Sequence, residues 1–133
     1  MGYSAKQRKV KVQVEGLEKI KRTLESMGDA AGSVLMKGAK VGGEVALEDA
    51  KRNCPVDTGA LKQSLHLTED KKTAKKATIK VDYDKKLKYG TFVELGTATR
   101  PGNPFLRNAV DKNQTEINQK IVEVISKEIG AKI

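Results

Sequence analysis

One tripeptide of this 133-residue chain, Asp57-Thr58-Gly59, matches a catalytic turn. In aspartic proteases two such turns face each other and their carboxylates share a proton, so a single copy would need a dimer. Here the tripeptide follows a predicted helix and Pro55, where the protease needs a buried strand, and long helical stretches do not suit an all-β enzyme. A dimeric aspartic protease is therefore a remote alternative. The sequence favours a structural turn, in which Asp57 or Thr58 caps a short helical turn.

A nucleophile and base could only be Cys54 and His66, because the chain has one cysteine and one histidine. Cys54 is predicted at a helix C-terminus, where the helix dipole disfavours a thiolate. A buried cysteine and a half-exposed histidine on a strand explain both residues. The same counts argue against a zinc site and an internal disulfide, and they fit a reducing compartment. With no phosphate-binding loop, dinucleotide fingerprint or carboxylate cluster, we predict a protein that is not an enzyme and has no catalytic, cofactor-binding or metal-binding residues.

The chain carries 26 lysines and arginines against 17 acidic residues, a formal net charge of +9. Such a field attracts polyanions, so a non-specific basic nucleic-acid-binding module is the main alternative function. Only five of the basic residues are arginines, and the aromatic residues are two Phe and three Tyr. Base readout favours arginine and single-strand binding favours stacked aromatics, so sequence-specific binding is disfavoured. DNA passing close to the lysines remains open.

The elements that would position these residues begin with a strand, because Val10, Val12 and Val14 alternate with polar residues. Apolar residues from Leu17 to Met27 then recur at three and four residues, as in an amphipathic helix. A long helix is predicted from about residue 30 to residue 53, with Asp29 as its cap and Pro55 as its stop. Four glycines inside it, each costing about 1 kcal/mol, need a reason. We expect close packing on a sheet or helix, with a bend or a contact with a neighbouring subunit as the alternative.

The second half of the chain predicts sheet and a last helix. Strand patterns begin at Leu65 and Leu67, recur from Ile79 to Tyr83, and recur again from Tyr89 to Leu95. The lysine-rich stretch between the first two strand patterns predicts a long hairpin arm or mobile loop at residues 69–78. Residues 96–103 form a loop, and Asn103-Pro104 starts a helix that runs to about Glu128, with Asn103 as its cap.

These elements predict a single α+β domain over residues 1–133, with residues 1–9 as a flexible basic N-terminus. Its small antiparallel sheet has about three to four strands and packs against two or three helices, including one long central helix and a C-terminal helix. No stretch approaches the roughly 20 apolar residues of a membrane helix, and no secretory signal precedes the first strand. We therefore expect no membrane partner.

Three segments together resemble one protein family. They are AKRNCPVDTGALKQSL at Ala50–Leu65, YGTFVELGT at Tyr89–Thr97 and NPFLRNA at Asn103–Ala109. This order is similar to the tail-component family of tailed bacteriophages, the gene-product-ten-like proteins of the HK-type lambdoid phages. Members have a helix ending in A-K-x-x-x-P-V-D-T-G-x-L-x-x-S, a strand Y-x-x-x-V-E-x-G-T and a helix start P-F-L-R-P-A. Val12–Leu17 resembles their first strand and helix, and Asn108 departs from the usual proline.

The resemblance implies a structural virion-assembly protein of a tailed phage or prophage, a ring component of the head–tail junction or of tail completion. Its expected partners are further copies of itself in a ring, commonly a hexamer, and the neighbouring head-completion, connector and tail-tube proteins. Its expected location is the neck or tail of the virion, and the bacterial cytoplasm during assembly. The lysine-rich segment Glu69–Lys88 and the loop at residues 96–103 are hypothesised to make contacts between subunits or rings.

Residue roles follow from the same resemblance. The turn between the long helix and the sheet is assigned to a structural motif of Pro55, Asp57, Thr58, Gly59 and Leu61. Phe105 and Leu106 are expected to anchor the last helix in the core, and would be interface anchors if they faced outward. Candidate interface residues are Lys71, Lys72, Lys75, Lys76, Glu94, Arg100, Phe105 and Arg107.

Overall fold

The computed structural model describes residues 10–14, 20–54, 59–84 and 104–130. Its strands are β1 (Val10–Val14), β2 (His66–Lys72) and β3 (Ala77–Asp82). Its helices are α1 (Lys21–Met27), α2 (Ala30–Asn53), α3 (Ala60–Ser64), α4 (Phe105–Asp111) and α5 (Gln114–Ile129). The predicted strand at Tyr89–Leu95 and the predicted loop at residues 96–103 lie outside the described residues.

The described strands form one antiparallel sheet in the order β1-β3-β2. Val10, Val12 and Val14 pair with Val81, Ile79 and Ala77, so one side of the sheet, its core face, is apolar. Lys11 pairs with Lys80 and Gln13 with Thr78 on the opposite side, the outer face. This alternation follows from the period of two along a strand. The α+β class is confirmed, with a three-stranded antiparallel sheet packed against α2 and the C-terminal helix α4.

Helix α2 is the centre of the fold, and its predicted bounds are confirmed. At about 1.5 Å per residue its 24 residues span roughly 36 Å. It packs against all three strands on one side and against α4 and α5 on the other. The buried stripe of α5, which consists of Ile117, Ile121 and Ile125, contacts it.

The four glycines of α2 are explained by this packing. A Cβ placed on Gly38 would lie 3.0 Å from Ile125 Cδ1, and one on Gly42 would lie 3.0 Å from Ile117 Cγ2. A Cβ on Gly43 would lie 2.9 Å from Ile79 Cγ2 in the sheet. Gly32 faces the backbone of Thr73. The packing explanation is confirmed, and all four glycines are buried within the chain, so none is exposed to a neighbouring subunit.

One predicted helix cap differs from the structure, and another is not among the described residues. Asp29 has helical backbone angles and makes no side-chain cap hydrogen bond, because the carbonyl of Gly28 accepts from Ala31 N at 3.1 Å. An N-cap side chain needs an extended backbone, so the prediction for Asp29 is wrong. The predicted cap Asn103 lies outside the described residues, and Pro104, which precedes the first residue of α4, makes no side-chain cap hydrogen bond.

The predicted C-terminal helix is also two helices rather than one. Asn113 donates its side-chain Nδ2 to Ala109 O at 2.7 Å and its backbone N–H to Val110 O at 3.2 Å. The side chain takes the carbonyl that a continuing helix would have used, and the helix ends there. Asn113 directly precedes the first residue of α5. This helix ends at Ile129, and the next residue, Gly130, has a left-handed backbone conformation.

Candidate functional site

The two residues of the candidate nucleophile–base pair, Cys54 and His66, differ in solvent exposure. Cys54 is buried, with 4% of its surface exposed, at the C-terminal end of α2. His66 is exposed on β2, and its Nδ1 lies 2.7 Å from Ser64 O. A carbonyl oxygen only accepts, so Nδ1 carries the proton and donates. Cys54 does not line the surface depression that contains His66. The described geometry therefore gives no exposed thiol–imidazole pair.

The Asp-Thr-Gly tripeptide lies between two helices, α2 and α3. Pro55, Asp57 and Thr58 are outside the described residues, whereas Gly59 is the N-cap of α3 with a φ of 84°. Gly59 itself makes no side-chain cap hydrogen bond, and the predicted capping role of Asp57 or Thr58 lies outside the described residues. A left-handed backbone at this point favours glycine because glycine has no Cβ. Leu61, two residues on, is fully buried and anchors α3 in the core.

A depression of about 540 Å³ opens on the outer face of the sheet. It is lined by Ser64, His66, Thr68, Lys80, Asp82, Tyr83 and Asp84. Local hydrogen bonds engage several of these groups: Asp82 Oδ1 accepts from Tyr83 N at 2.8 Å, and Ser64 Oγ donates to Leu61 O at 2.8 Å. The charges are mixed, so the depression does not concentrate charge of one sign.

The segment predicted as a polar arm is a hairpin with one register shift, between Glu69 and Lys71. Strands β2 and β3 continue to Lys72 and from Ala77, so only residues 73–76 form the turn. Thr73 closes this turn: its N–H donates to Lys76 O at 2.8 Å, and its Oγ1 accepts from the N–H groups of Lys75 and Lys76 at 3.3 and 3.0 Å. The hairpin alternative therefore describes residues 69–78, and their mobility stays a prediction.

Two carboxylates of the hairpin are engaged by lysines from other elements. Lys40 on α2 lies 2.9 Å from Glu69, and Lys11 on β1 lies 3.2 Å from Asp70. The hydrogen bond from Lys40 lowers the pKa of Glu69, and the one from Lys11 lowers the pKa of Asp70. Lys80 is 4.0 Å from Asp70, at the register shift between Glu69 and Lys71. These contacts tie the hairpin to β1 and α2.

Among the residues that the structure describes, the hydroxyl of Thr78 finds no hydrogen-bond partner. Thr78 is 1% exposed on β3, between Gln13 on β1 and Lys71 on β2. A buried hydroxyl without a partner loses its hydration without compensation, which costs about 1–3 kcal/mol.

The predicted interface residues are placed differently from one another. Lys71, Lys72 and Lys75 are exposed at the hairpin tip, and Lys76 is half-buried. Phe105 is 1% exposed and Leu106 fully buried, so both anchor α4 in the core as expected. Arg107 is half-buried on α4, whereas Glu94 and Arg100 lie outside the described residues.

Sequence reasoning missed the lysines that hold the hairpin, Lys11 and Lys40. Lys11 alternates with the core valines of β1, which places it on the outer face, but its partner depends on strand order. Lys40 meets Glu69 only because α2 crosses the sheet. Neither ion pair can be predicted from the sequence pattern around its two residues.

Two kinds of feature are absent from the described residues. They contain no group of three or more histidine, cysteine, aspartate or glutamate side chains that could hold a metal ion. Among those same residues, no helix is long and apolar enough to span a bilayer.

Comparison with known proteins gives one match. No curated protein and no solved structure matches the chain. The family model described as "Bacteriophage HK97-gp10, putative tail-component" matches residues 18–96, which is more than half of the chain. That stretch contains α2, the Asp-Thr-Gly turn and the hairpin. The chain therefore belongs to the HK97 gp10-like family of phage tail components.

Proposed function

We propose that this protein is a structural, non-enzymatic component of a tailed phage or prophage particle, forming a ring at the head–tail junction or at the completed end of the tail. The observation that carries this proposal is the family match over residues 18–96. The proposed ring contains several copies, with six as the expected number. Its proposed neighbours are the head-completion or connector proteins on one side and the tail-tube protein on the other.

The surface of the described residues supports a subunit that stays monomeric until it is assembled into the particle. Val122, 38% exposed on α5, is the one large hydrophobic side chain exposed in the described part of the chain. Large exposed apolar patches would cause premature association. We therefore propose that the ring closes by heterologous contacts when the subunit meets its partner in the particle.

The contacts between ring subunits are proposed to involve charged residues outside the hydrophobic core rather than core side chains. Glu94, Arg100 and Arg107 remain candidates, whereas the burial of Phe105 removes its side chain from a contact with another subunit. The four hairpin lysines could contact a neighbouring subunit, but their chemistry favours a different role.

The test is to delete the gene in the phage or prophage genome that carries it and to examine the particles by electron microscopy. The proposal predicts separate DNA-filled heads and tails, or tails with an unfinished end, and recovery of whole particles when the wild-type gene is supplied in trans. Normal infectious particles from the deletion strain would contradict the proposal.

Two complementing variants separate structure from catalysis. His66→Gln and Asp57→Asn are expected to restore particles as the wild type does, because neither side chain has a proposed catalytic role. Asn keeps the turn-forming chemistry of Asp but cannot act as a carboxylate. Loss of particles with a folded Asp57→Asn protein, together with pepstatin-sensitive cleavage, would instead support the aspartic protease.

A further inference from the structure

Four lysines, Lys71, Lys72, Lys75 and Lys76, surround the turn of the β2–β3 hairpin, and we call them the lysine tip. The sequence from Lys71 to Lys76 contains no acidic residue. The two preceding carboxylates, Glu69 and Asp70, form ion pairs with Lys40 and Lys11 instead. Among the described residues, none of the four tip lysines forms an ion pair within 4.0 Å. The tip is therefore a cluster of cations whose nearest carboxylates in sequence are engaged by other lysines.

The backbone that carries the lysine tip is held in place from several directions. The turn is fixed by the hydrogen bond that the N–H of Thr73 donates to Lys76 O and by the two that its Oγ1 accepts from the N–H groups of Lys75 and Lys76. The turn also rests on the first turn of α2, where a Cβ on Gly32 would lie 3.0 Å from Thr73 O. The ion pairs of Glu69 and Asp70 fix the strand below it. The lysines thus extend from a positioned turn, with Lys71 on the outer face of the sheet and Lys72 on the side of α2.

The residue types at the tip indicate which partner it fits. Protein interfaces are depleted in lysine at their core and depend on aromatic, Met and Arg anchors. From Thr68 to Lys76 the hairpin contains one apolar residue, Ala74, and no aromatic residue. A folded protein would find no anchor there. Phosphate oxygens need only positive charge and donors, which lysine supplies as a point charge.

The same residues distinguish a duplex from a single strand. Proteins that bind single strands stack bases on aromatic side chains, and residues 66–82 contain no Phe, Tyr or Trp. A duplex offers a denser row of phosphates and requires no stacking. We propose that the lysine tip binds the phosphate backbone of double-stranded DNA without reading its sequence. The choice of DNA over RNA rests on the proposed function, whereas the choice of a duplex backbone rests on the hairpin.

The proposal has a quantitative consequence in salt. Each phosphate neutralised on duplex DNA contributes about −0.9 to the slope of log K against log salt concentration, so four contacts give about −3.6. A slope of that size means that affinity falls by about two orders of magnitude between about 50 and 200 mM salt. The rest of the +9 chain adds to the measured total, so the diagnostic quantity is the change in slope when the tip lysines are removed.

The experiment measures fluorescence anisotropy of short labelled duplexes of two unrelated sequences with the free protein over a salt series. The tip variant replaces Lys71, Lys72, Lys75 and Lys76 by Gln. The matched control replaces four exposed lysines from other elements, Lys21, Lys62, Lys112 and Lys120, by Gln, which gives the same net charge. Circular dichroism verifies that both variants are folded.

We expect the wild type to bind both duplexes equally and the tip variant to lose about three to four units of salt slope and about tenfold or more in affinity at low salt. The control variant keeps most of the slope. Equal losses in the two variants would overturn the proposal, because they would show an effect of bulk charge only. Absence of wild-type binding, or binding of the tip to an acidic neighbouring phage protein instead, would also overturn it. The ring is tested separately by mass, so failure here leaves that proposal standing.

Discussion

The contact between Gly38 on α2 and Ile125 on α5 sets how closely the two main helices approach. A Cβ on Gly38 would lie 3.0 Å from Ile125 Cδ1, 3.1 Å from its Cγ1 and 3.4 Å from Ile121 Cγ2. Ile125 is fully buried. In Gly38→Ala the helix gains about 1 kcal/mol of propensity. Overpacking a filled core costs about 1–3 kcal/mol. The expected result is a net loss of about 1 kcal/mol.

Ile125→Val removes the Cδ1 atom that the new methyl group would meet. Alone it should cost about 1 kcal/mol, the usual cost of this change in a core. The Cγ1 atom at 3.1 Å remains as a valine methyl group, but it can shift into the space that Cδ1 vacates, so Gly38→Ala should become neutral or stabilise by up to about 1 kcal/mol through helix propensity. The two substitutions should therefore couple favourably by about 1–2 kcal/mol, within the range for residues in contact.

The assay is urea unfolding of the four proteins of this cycle, followed by circular dichroism, with equal m-values as the condition for comparison. Ser33→Ala, on the exposed side of α2, combined with Ile125→Val is the control, and its effects should add. Additivity of Gly38→Ala and Ile125→Val within about 0.5 kcal/mol would refute the reasoning. So would a Gly38→Ala single variant about 1 kcal/mol more stable than the wild type, the gain from helix propensity without overpacking.

Four further predictions concern other elements. Thr78→Val should stabilise the protein by about 1 kcal/mol, because it removes a buried hydroxyl that has no partner in the described part of the chain and keeps the side-chain shape; a loss of stability in urea unfolding would show that the hydroxyl is satisfied. Gly59→Ala should destabilise by about 1 kcal/mol, because alanine is strained at a φ of 84°, and an unchanged midpoint would contradict that backbone. Gly32→Ala should lower the thermal midpoint and increase hydrogen exchange at the hairpin tip, because Thr73 O is a backbone atom; unaltered exchange would argue against the contact. Asp70→Asn should reduce the loss of stability on acidification. The native pKa is below the ordinary value, so the stabilisation is present above about pH 4 and is lost as pH falls through the native pKa; an equally acid-sensitive variant would contradict this.

The elements that the sequence predicted best are those with a strong period and a definite end. The alternating valines of β1 have the period of a half-buried strand, and Pro55 stops the chain from continuing α2. The family assignment also came from the sequence, because the motifs around Pro55–Gly59 are local strings.

The elements that were not predicted from the sequence depend on contacts between residues far apart in the chain, or on competition between weak local hydrogen bonds. The break between α4 and α5 is caused by one Asn113 side chain that takes the Ala109 carbonyl, and nothing in the apolar stripe marks it. Strand β2 beyond Leu67 is too polar to be predicted from its own pattern, and the lysines that hold it, Lys11 on β1 and Lys40 on α2, lie elsewhere in the chain. The glycines of α2 indicated close packing, but only the fold shows that the isoleucines of α5 occupy the space.

The most direct test of the central claim is the mass of the purified protein, measured by light scattering, alone and then mixed with the neighbouring connector and tail-tube proteins. The account predicts a ring of defined stoichiometry, either in the free protein or when a partner is added, with six copies as the expected number. A protein that stays monomeric in the presence of both partners would contradict it.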